Sequence, residues 1–366
     1  MKNYNYTADV HYVIGNHYLT DSFQQFAKAT EKLNLKERRV LLIAEKMYLA
    51  FYKDELSSLF GSISKSFDIF EIESTPTDYP AEKEKIISFA KEIGFTKDDC
   101  IVSLGGFPAD VLSRLFLAEG LESTVYIQIP VTFTAQLVSG KGASYVLEVS
   151  PEIYGESKEK ALSIEAKLIY INVHCYKYLS NDERISGLGE AIRCAVSSDK
   201  ALLNLIETNA GQKTDNFSAF LMTLIANCIQ DEDKKKDTNT QDALFGYTIA
   251  RGLEKCTNYI IPHGSAVSIG MVVANSIASK RGLLSNDDNF RIARVMVSYG
   301  LPVSMNFTNE LIEAICASVQ AIPGLVDEKG TLSAFVMADK IGHTKKFDNV
   351  TIEEIMDVMN YRKISR

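Results

Sequence analysis

The chain has 366 residues, 46% of them hydrophobic and 23% charged, and a mean hydropathy of -0.03. These values exclude a disordered or fibrous protein, and the length suits two domains with a core in each. Lys and Arg total 39 against 47 Asp and Glu, a net charge of -8, which argues against nucleic-acid binding through a global field.

The segment from Met1 to Asn16 is polar and aromatic, without the charged-then-apolar order of a signal peptide. No apolar run reaches the roughly 18 to 20 residues of a bilayer span, so the expected compartment is the cytoplasm. Arg39 to Ile43, Phe67 to Ile72, Cys100 to Leu104, Val125 to Ile129 and Ala166 to Asn172 are short apolar runs that predict buried strands. Amphipathic stretches lie between them, as from Lys83 to Ile93, where Ile86, Ile87, Ala90 and Ile93 share a face. Strands alternating with helices predict a parallel sheet and a Rossmann-like α/β domain over residues 1–180.

From Leu179 onward the periodicity becomes helical. Ile185 to Ile206, Ala219 to Gln230, Gln241 to Lys255, Gly264 to Lys280, Asp288 to Tyr299 and Asn309 to Val319 predict an all-α second domain over residues 181–366. Ser180-Asn-Asp-Glu183 marks the boundary, and a ligand is expected in the cleft beside the carboxyl edge of the sheet. The six cysteines form no CxxC pair and predict reduced, packed thiols. The run from Asp231 to Asp237 mixes both charge signs and reads as a solvated helix end.

Several segments carry residue types suited to chemistry. Gly105-Gly106 follows a strand and leads through Asp110 into a helix, which suits either a phosphate-approach loop or a tight turn. Ile127 to Gln136, containing Pro130 and Thr132, joins a strand to a loop, and Gly140-Lys141-Gly142 adds a second glycine-rich turn with one cation. Ser186-Gly-Leu-Gly-Glu190 with Arg193, Leu244 to Glu254 with Tyr247 and Arg251, and His263-Gly264 to Met271 follow in order.

Taken together, these blocks resemble the 3-dehydroquinate synthase family of NAD-dependent sugar phosphate cyclases from about Val40 to Gly342. The family's iqiPTTLLAQ, SGLAE, NFGHTxGHAxE and HGEAVxIGM match Ile127 to Gln136, Ser186 to Glu190, Leu244 to Glu254 and His263 to Met271. The resemblance implies an N-terminal NAD-binding α/β domain, a helical metal and substrate domain, a homodimer, and NAD with a divalent metal, commonly zinc. It also implies carbon-oxygen lyase chemistry on a sugar phosphate, begun by hydride transfer to NAD. Carried over residue by residue, it assigns Asp78, Gly105, Gly106, Asp110 and Thr132 to the cofactor, Glu190 and His263 to the metal, and Arg193, Arg251, Tyr247 and Lys141 to catalysis.

The chain departs from the family where charge and ligation matter. The third metal position, a family histidine, is Tyr247, and a neutral phenol with a pKa near 10 is a poor zinc donor. The second histidine of that block is Arg251. The family's phosphate and cofactor groups fall on Val138, Ser144, Glu122, Leu224, Thr240 and Leu244, and the adenosine-side segment is Thr77-Asp78-Tyr-Pro-Ala81; only Arg193 keeps the charge of its family lysine. Metal binding is therefore expected to be weak or absent, and Glu190 to pair with Arg193 or Arg251 instead.

Three readings follow. One is a homologue that has lost the ordinary reaction and binds a protein partner or small regulator. Another is an active, divergent cyclase or lyase on another sugar phosphate, using Tyr247 and Arg251. The third is a metal-dependent alcohol or glycerol dehydrogenase, whose Asp and three-His ligand set is missing here.

Overall fold

A computed structural model describes the chain except residues 1, 8–9, 16–18, 75–77, 139–160, 162, 212–216, 237–244, 259, 323 and 362–366, and describes backbone alone at 2–7, 10–11, 19–24 and 231–236. Lys141 and its glycine-rich turn lie outside the described residues. The chain divides into two compact units, Met1–Leu179 with Ser218–Ala226, and Ser180–Phe217 with Asn227–Arg366.

The first unit runs β1 (Lys2–Thr7), β2 (Val10–Gly15), α1 (Leu19–Thr30), β3 (Arg39–Glu45), α2 (Lys46–Leu49), α3 (Lys53–Ile63), β4 (Ser66–Ile72), α4 (Tyr79–Glu92), β5 (Cys100–Gly105), α5 (Phe107–Leu117), β6 (Val125–Pro130), α6 (Phe133–Leu137) and β7 (Leu168–Asn172). Its seven-stranded sheet has the order β1-β2-β7-β6-β5-β3-β4. All neighbours from β2 to β4 are parallel, and β1 alone runs antiparallel, against β2. The parallel sheet and Rossmann-like layout read from the apolar runs are thus present. The terminal strands β1 and β2 carry polar and aromatic residues and give no such run.

Strand β3 is buried from Val40 to Glu45 because it is flanked on both sides, by β4 and β5. The winding reverses there: the chain leaves β3 outward to β4, then returns to β3's other side with β5. In open α/β sheets such a switch point leaves a crevice at the carboxyl ends of the two strands, here Glu45 and Gly105. Helix α4 starts where Asp78 accepts from the Ala81 amide at 2.9 Å and Pro80 fixes the first turn.

The second unit comprises α7 (Asn181–Ser198), α8 (Lys200–Asn209), α9 (Phe217–Lys236, whose residues 218–226 group with the first unit), α10 (Tyr247–Cys256), α11 (His263–Lys280), α12 (Asn286–Ser298), α13 (Asn309–Gln320), β8 (Thr331–Leu332), β9 (Phe335–Lys340), β10 (His343–Phe347), β11 (Val350–Thr351) and α14 (Ile352–Tyr361). A capping box starts α7: Ser180 accepts from the Glu183 amide at 3.2 Å while Glu183 accepts from the Ser180 amide at 2.7 Å. The long helix expected from Ile185 to Ile206 is two, because Asp199 ends α7 and caps α8 through the amides of Ala201 and Leu202. The all-helical expectation also misses the antiparallel pairs β9–β10 and β8–β11.

Candidate functional site

Glycine places the central residues of the second unit. A methyl group on Gly264 would fall 2.1 Å from the Ser186 carbonyl, and one on Gly189 would fall 2.7 Å from the Gly264 carbonyl. Helices α7 and α11 therefore touch backbone to backbone, and the Gly264 amide donates to Ser186 Oγ at 2.7 Å. The same device joins α10 to α11, since a methyl on Gly270 would meet the Gly246 carbonyl at 1.9 Å. Glu190 on α7, Tyr247 on α10 and His263 on α11 are thereby brought into one cluster.

Glu190 is 1% exposed and Arg193, one turn on, 2%. Arg193 Nε donates to Glu190 Oε2 at 2.9 Å, and the Tyr247 hydroxyl donates to the same oxygen at 2.7 Å. The Arg193 guanidinium also lies 4.8 Å from the centre of the Tyr247 ring, a cation–π contact. His263 Nε2 is 3.2 Å from Glu190 Oε1, and its Nδ1 is 2.7 Å from Glu254 Oε1. Both carboxylate oxygens of Glu190 are thus engaged, and both ring nitrogens of His263 face carboxylates.

Electrostatics follow from this geometry. Burial alone would raise the Glu190 pKa, but the charge of Arg193 and the hydrogen bond from His263 overcome it and hold the group at about 2. Burial alone would lower His263, yet Glu254 and Glu190 together raise it to about 10. Both ring nitrogens face carboxylate oxygens, an environment that favours the protonated ring. Two anions and two cations balance within a few ångströms.

Arg251 is half-buried one turn beyond Tyr247; of the two partners expected for Glu190, the structure gives Arg193. Glu254 is the member that reading the sequence for ligands overlooks. It lies two turns from Tyr247 on α10, and that spacing was the available signal.

The cofactor residues assigned by resemblance belong to the first unit and divide by environment. Gly105 has φ of 149° and Gly106 caps α5. Thr132 accepts from the Ala135 amide at 3.2 Å as the cap of α6, with its methyl 3.0 Å from where a Gly106 side chain would start. Asp78 is exposed and caps α4. Asp110 is 1% exposed and faces the interior: Oδ1 takes Arg114 Nε at 2.9 Å and also the Tyr126 hydroxyl.

The first unit has a Rossmann-like parallel sheet and the second holds the buried Glu190–His263 pair, an arrangement that can be compared with known proteins. Residues 187–323 match the 3-dehydroquinate synthase C-terminal family. The 3-dehydroquinate synthase of Lactococcus lactis subsp. cremoris (strain SK11) is 26% identical over 340 residues, covering 88% of this chain and 90% of that protein. The fold matches 2-epi-5-epi-valiolone synthase from Streptomyces hygroscopicus subsp. jinggangensis 5008, with NAD+ and Zn2+ bound, at a TM-score of 0.77 and 18% identity over 99% of this chain and 97% of that one. It matches 2-deoxy-scyllo-inosose synthase, complexed with carbaglucose-6-phosphate, NAD+ and Co2+, at a TM-score of 0.77 and 14% identity over 99% of each chain. Dehydrogenase structures share the fold at lower scores. The chain thus resembles 3-dehydroquinate synthases in sequence and shares the fold of these synthases. Among the described residues no helix is long and apolar enough to cross a membrane.

Proposed function

We propose that this protein keeps the scaffold of the sugar phosphate cyclases without the 3-dehydroquinate synthase reaction, and that an internal ion network stands where relatives hold a metal. The observation that carries this reading is the geometry of His263, whose two ring nitrogens face the carboxylates of Glu190 and Glu254. A divalent ion needs neutral imidazole nitrogen and free carboxylate oxygen. Binding here requires His263 to lose a proton and Glu190 to give up Arg193 and Tyr247. Among the described residues no group of three or more His, Cys, Asp and Glu could hold a metal ion, and Tyr247 brings a protonated phenol to the third position. These residues do not fit the metal.

In the cyclases a metal polarises the substrate hydroxyl that NAD oxidises, so a homologue that cannot hold one loses the opening hydride transfer. The remaining role is non-catalytic: binding of a small regulator or a protein partner. The test is phosphate release from the heptulosonate phosphate substrate of 3-dehydroquinate synthase, with NAD and added zinc or cobalt. No release above the protein-free control is expected, and catalytic release would overturn the reading.

One observation favours a second reading, catalysis on a different sugar phosphate. Arg251 is a permanent, half-buried cation beside Tyr247 that the network leaves unused. Any turnover found in a screen of sugar phosphates should then disappear in Arg251→Ala, and an unchanged rate would remove Arg251 from the chemistry.

A further inference from the structure

Helix α12 (Asn286–Ser298) carries apolar side chains on two faces, and its own unit buries one of them. Ile292, Val295 and Met296 form the buried face. Phe290 and Val297 lie on the opposite side, 72% and 56% exposed, and Asp287 and Arg294 are exposed beside them. Asp287, Phe290, Arg294 and Val297 are spaced three, four and three residues apart, the interval that keeps side chains on one seam facing another helix.

The seam is complementary to a copy of itself. Asp287 and Phe290 stand one turn apart, a carboxylate beside an aromatic ring. Together they suit a guanidinium, which pairs with the carboxylate and stacks on the ring. Arg294 supplies that group from the same seam. Two α12 helices laid antiparallel, about a twofold axis level with Ile292, bring Phe290 of each opposite Arg294 of the other, with Asp287 within the reach of the guanidinium. A parallel pair would set Asp287 against Asp287 and Arg294 against Arg294, so charge selects the antiparallel arrangement. Within the chain Arg294 approaches Glu207 at 3.5 Å, while Arg291 holds the same Glu207 side chain at 2.6 and 3.0 Å.

We infer that a second copy of this chain docks on α12, through a twofold contact in which Arg294 of each copy enters the Asp287–Phe290 site of the other. A helix of this length spans about 20 Å, and two such seams alone bury less than the roughly 800 Å² per partner of a stable interface. The contact is therefore weak and concentration-dependent, and it adds a step to any association made through other surfaces. The inference goes beyond the metal reading and does not rest on it, because it concerns the surface of one helix.

The test is sedimentation equilibrium of the full chain from about 1 to 500 μM, for wild type, Arg294→Glu and Asp287→Arg, and for an equimolar mixture of the two variants. Far-UV circular dichroism checks that each variant is folded. The wild-type mass should rise with concentration. Each variant alone should associate about tenfold more weakly or worse, because like charges then meet across the contact. The mixture should regain the wild-type association, since one seam is then wholly acidic and the other wholly basic. Phe290→Ala, which keeps both charges and removes the ring, should weaken association about threefold. A wild-type mass that stays constant over this range would overturn the inference. So would variants that associate as wild type does, or a mixture that associates no better than either variant alone. None of these outcomes bears on the metal reading.

Discussion

The cluster around Glu190 and the loop around Gly106 hold their acidic side chains in opposite ways. In the helical unit, two acidic and two basic side chains from α7, α10 and α11 neutralise one another, and each of Glu190 and His263 has more than one partner. In the sheet unit, the Glu45 carboxyl accepts from the Gly106 backbone amide. The first arrangement is cooperative and resists reversal by one substitution. The second depends on a single residue. That difference orders the predictions.

The largest effect is expected from Glu190→Ala, which removes the buried carboxylate that Arg193 and His263 both face. Breaking a buried ion pair by removing one partner costs about 3–5 kcal/mol, measurable by denaturant unfolding. Replacing Glu190 by Leu together with Arg193 by Met should recover much of that loss, because no unpaired charge then remains. Equal losses in the single and double variants would break the account of a balanced network.

The next effect is on pH. The pKa of His263 is raised from an ordinary value near 6.5 to about 10, so its stabilisation is complete below about 6.5 and is lost as pH rises through about 10. Glu190 is lowered to about 2, so its contribution is present above about 4.5 and is lost as pH falls through about 2. Stability from the network should be greatest between those limits, and His263→Gln should flatten the alkaline decline. A wild-type curve level from pH 7 to 10 would contradict the imidazolium assignment.

Tyr247→Phe removes one hydrogen bond to a charged group and should cost about 1.5–3 kcal/mol. Tyr247→His sharpens the comparison further. Alone it should leave zinc without effect on the melting temperature, because Glu254 still holds His263 as an imidazolium. Combined with Glu254→Gln it should produce a zinc-dependent rise. The smallest effect belongs to Asp78→Ala, expected at about 1 kcal/mol as loss of a helix cap. A change in nucleotide affinity without a change in stability would show that Asp78 serves a ligand instead.

Strands β3, β5, β6 and β7 are legible in the sequence because each is an apolar run set by burial on both faces, and the edge strand β4 by its apolar run, whereas β1, β2 and the β9–β10 pair lack that pattern. The break at Asp199 is written in its capping chemistry, but helical periodicity on both sides masks it. Glu190 and His263 are legible through the motifs that contain them. The pairing of Glu190 with Arg193 follows from their i,i+3 spacing on α7, whereas the contacts of Glu190 with Tyr247 and His263 depend on helix packing that no spacing reveals. Glu254 is signalled only by its two-turn spacing from Tyr247, and Glu45 by nothing local, because its partner Gly106 is brought to it by a neighbouring strand.

The central claim, that an internal ion network replaces a metal, is tested most directly by calorimetric titration of metal-stripped wild-type protein with zinc at neutral pH. The account predicts no saturable binding. Tight, stoichiometric binding accompanied by proton release, and abolished in a folded His263→Gln variant, would contradict it and restore Glu190 and His263 as metal ligands.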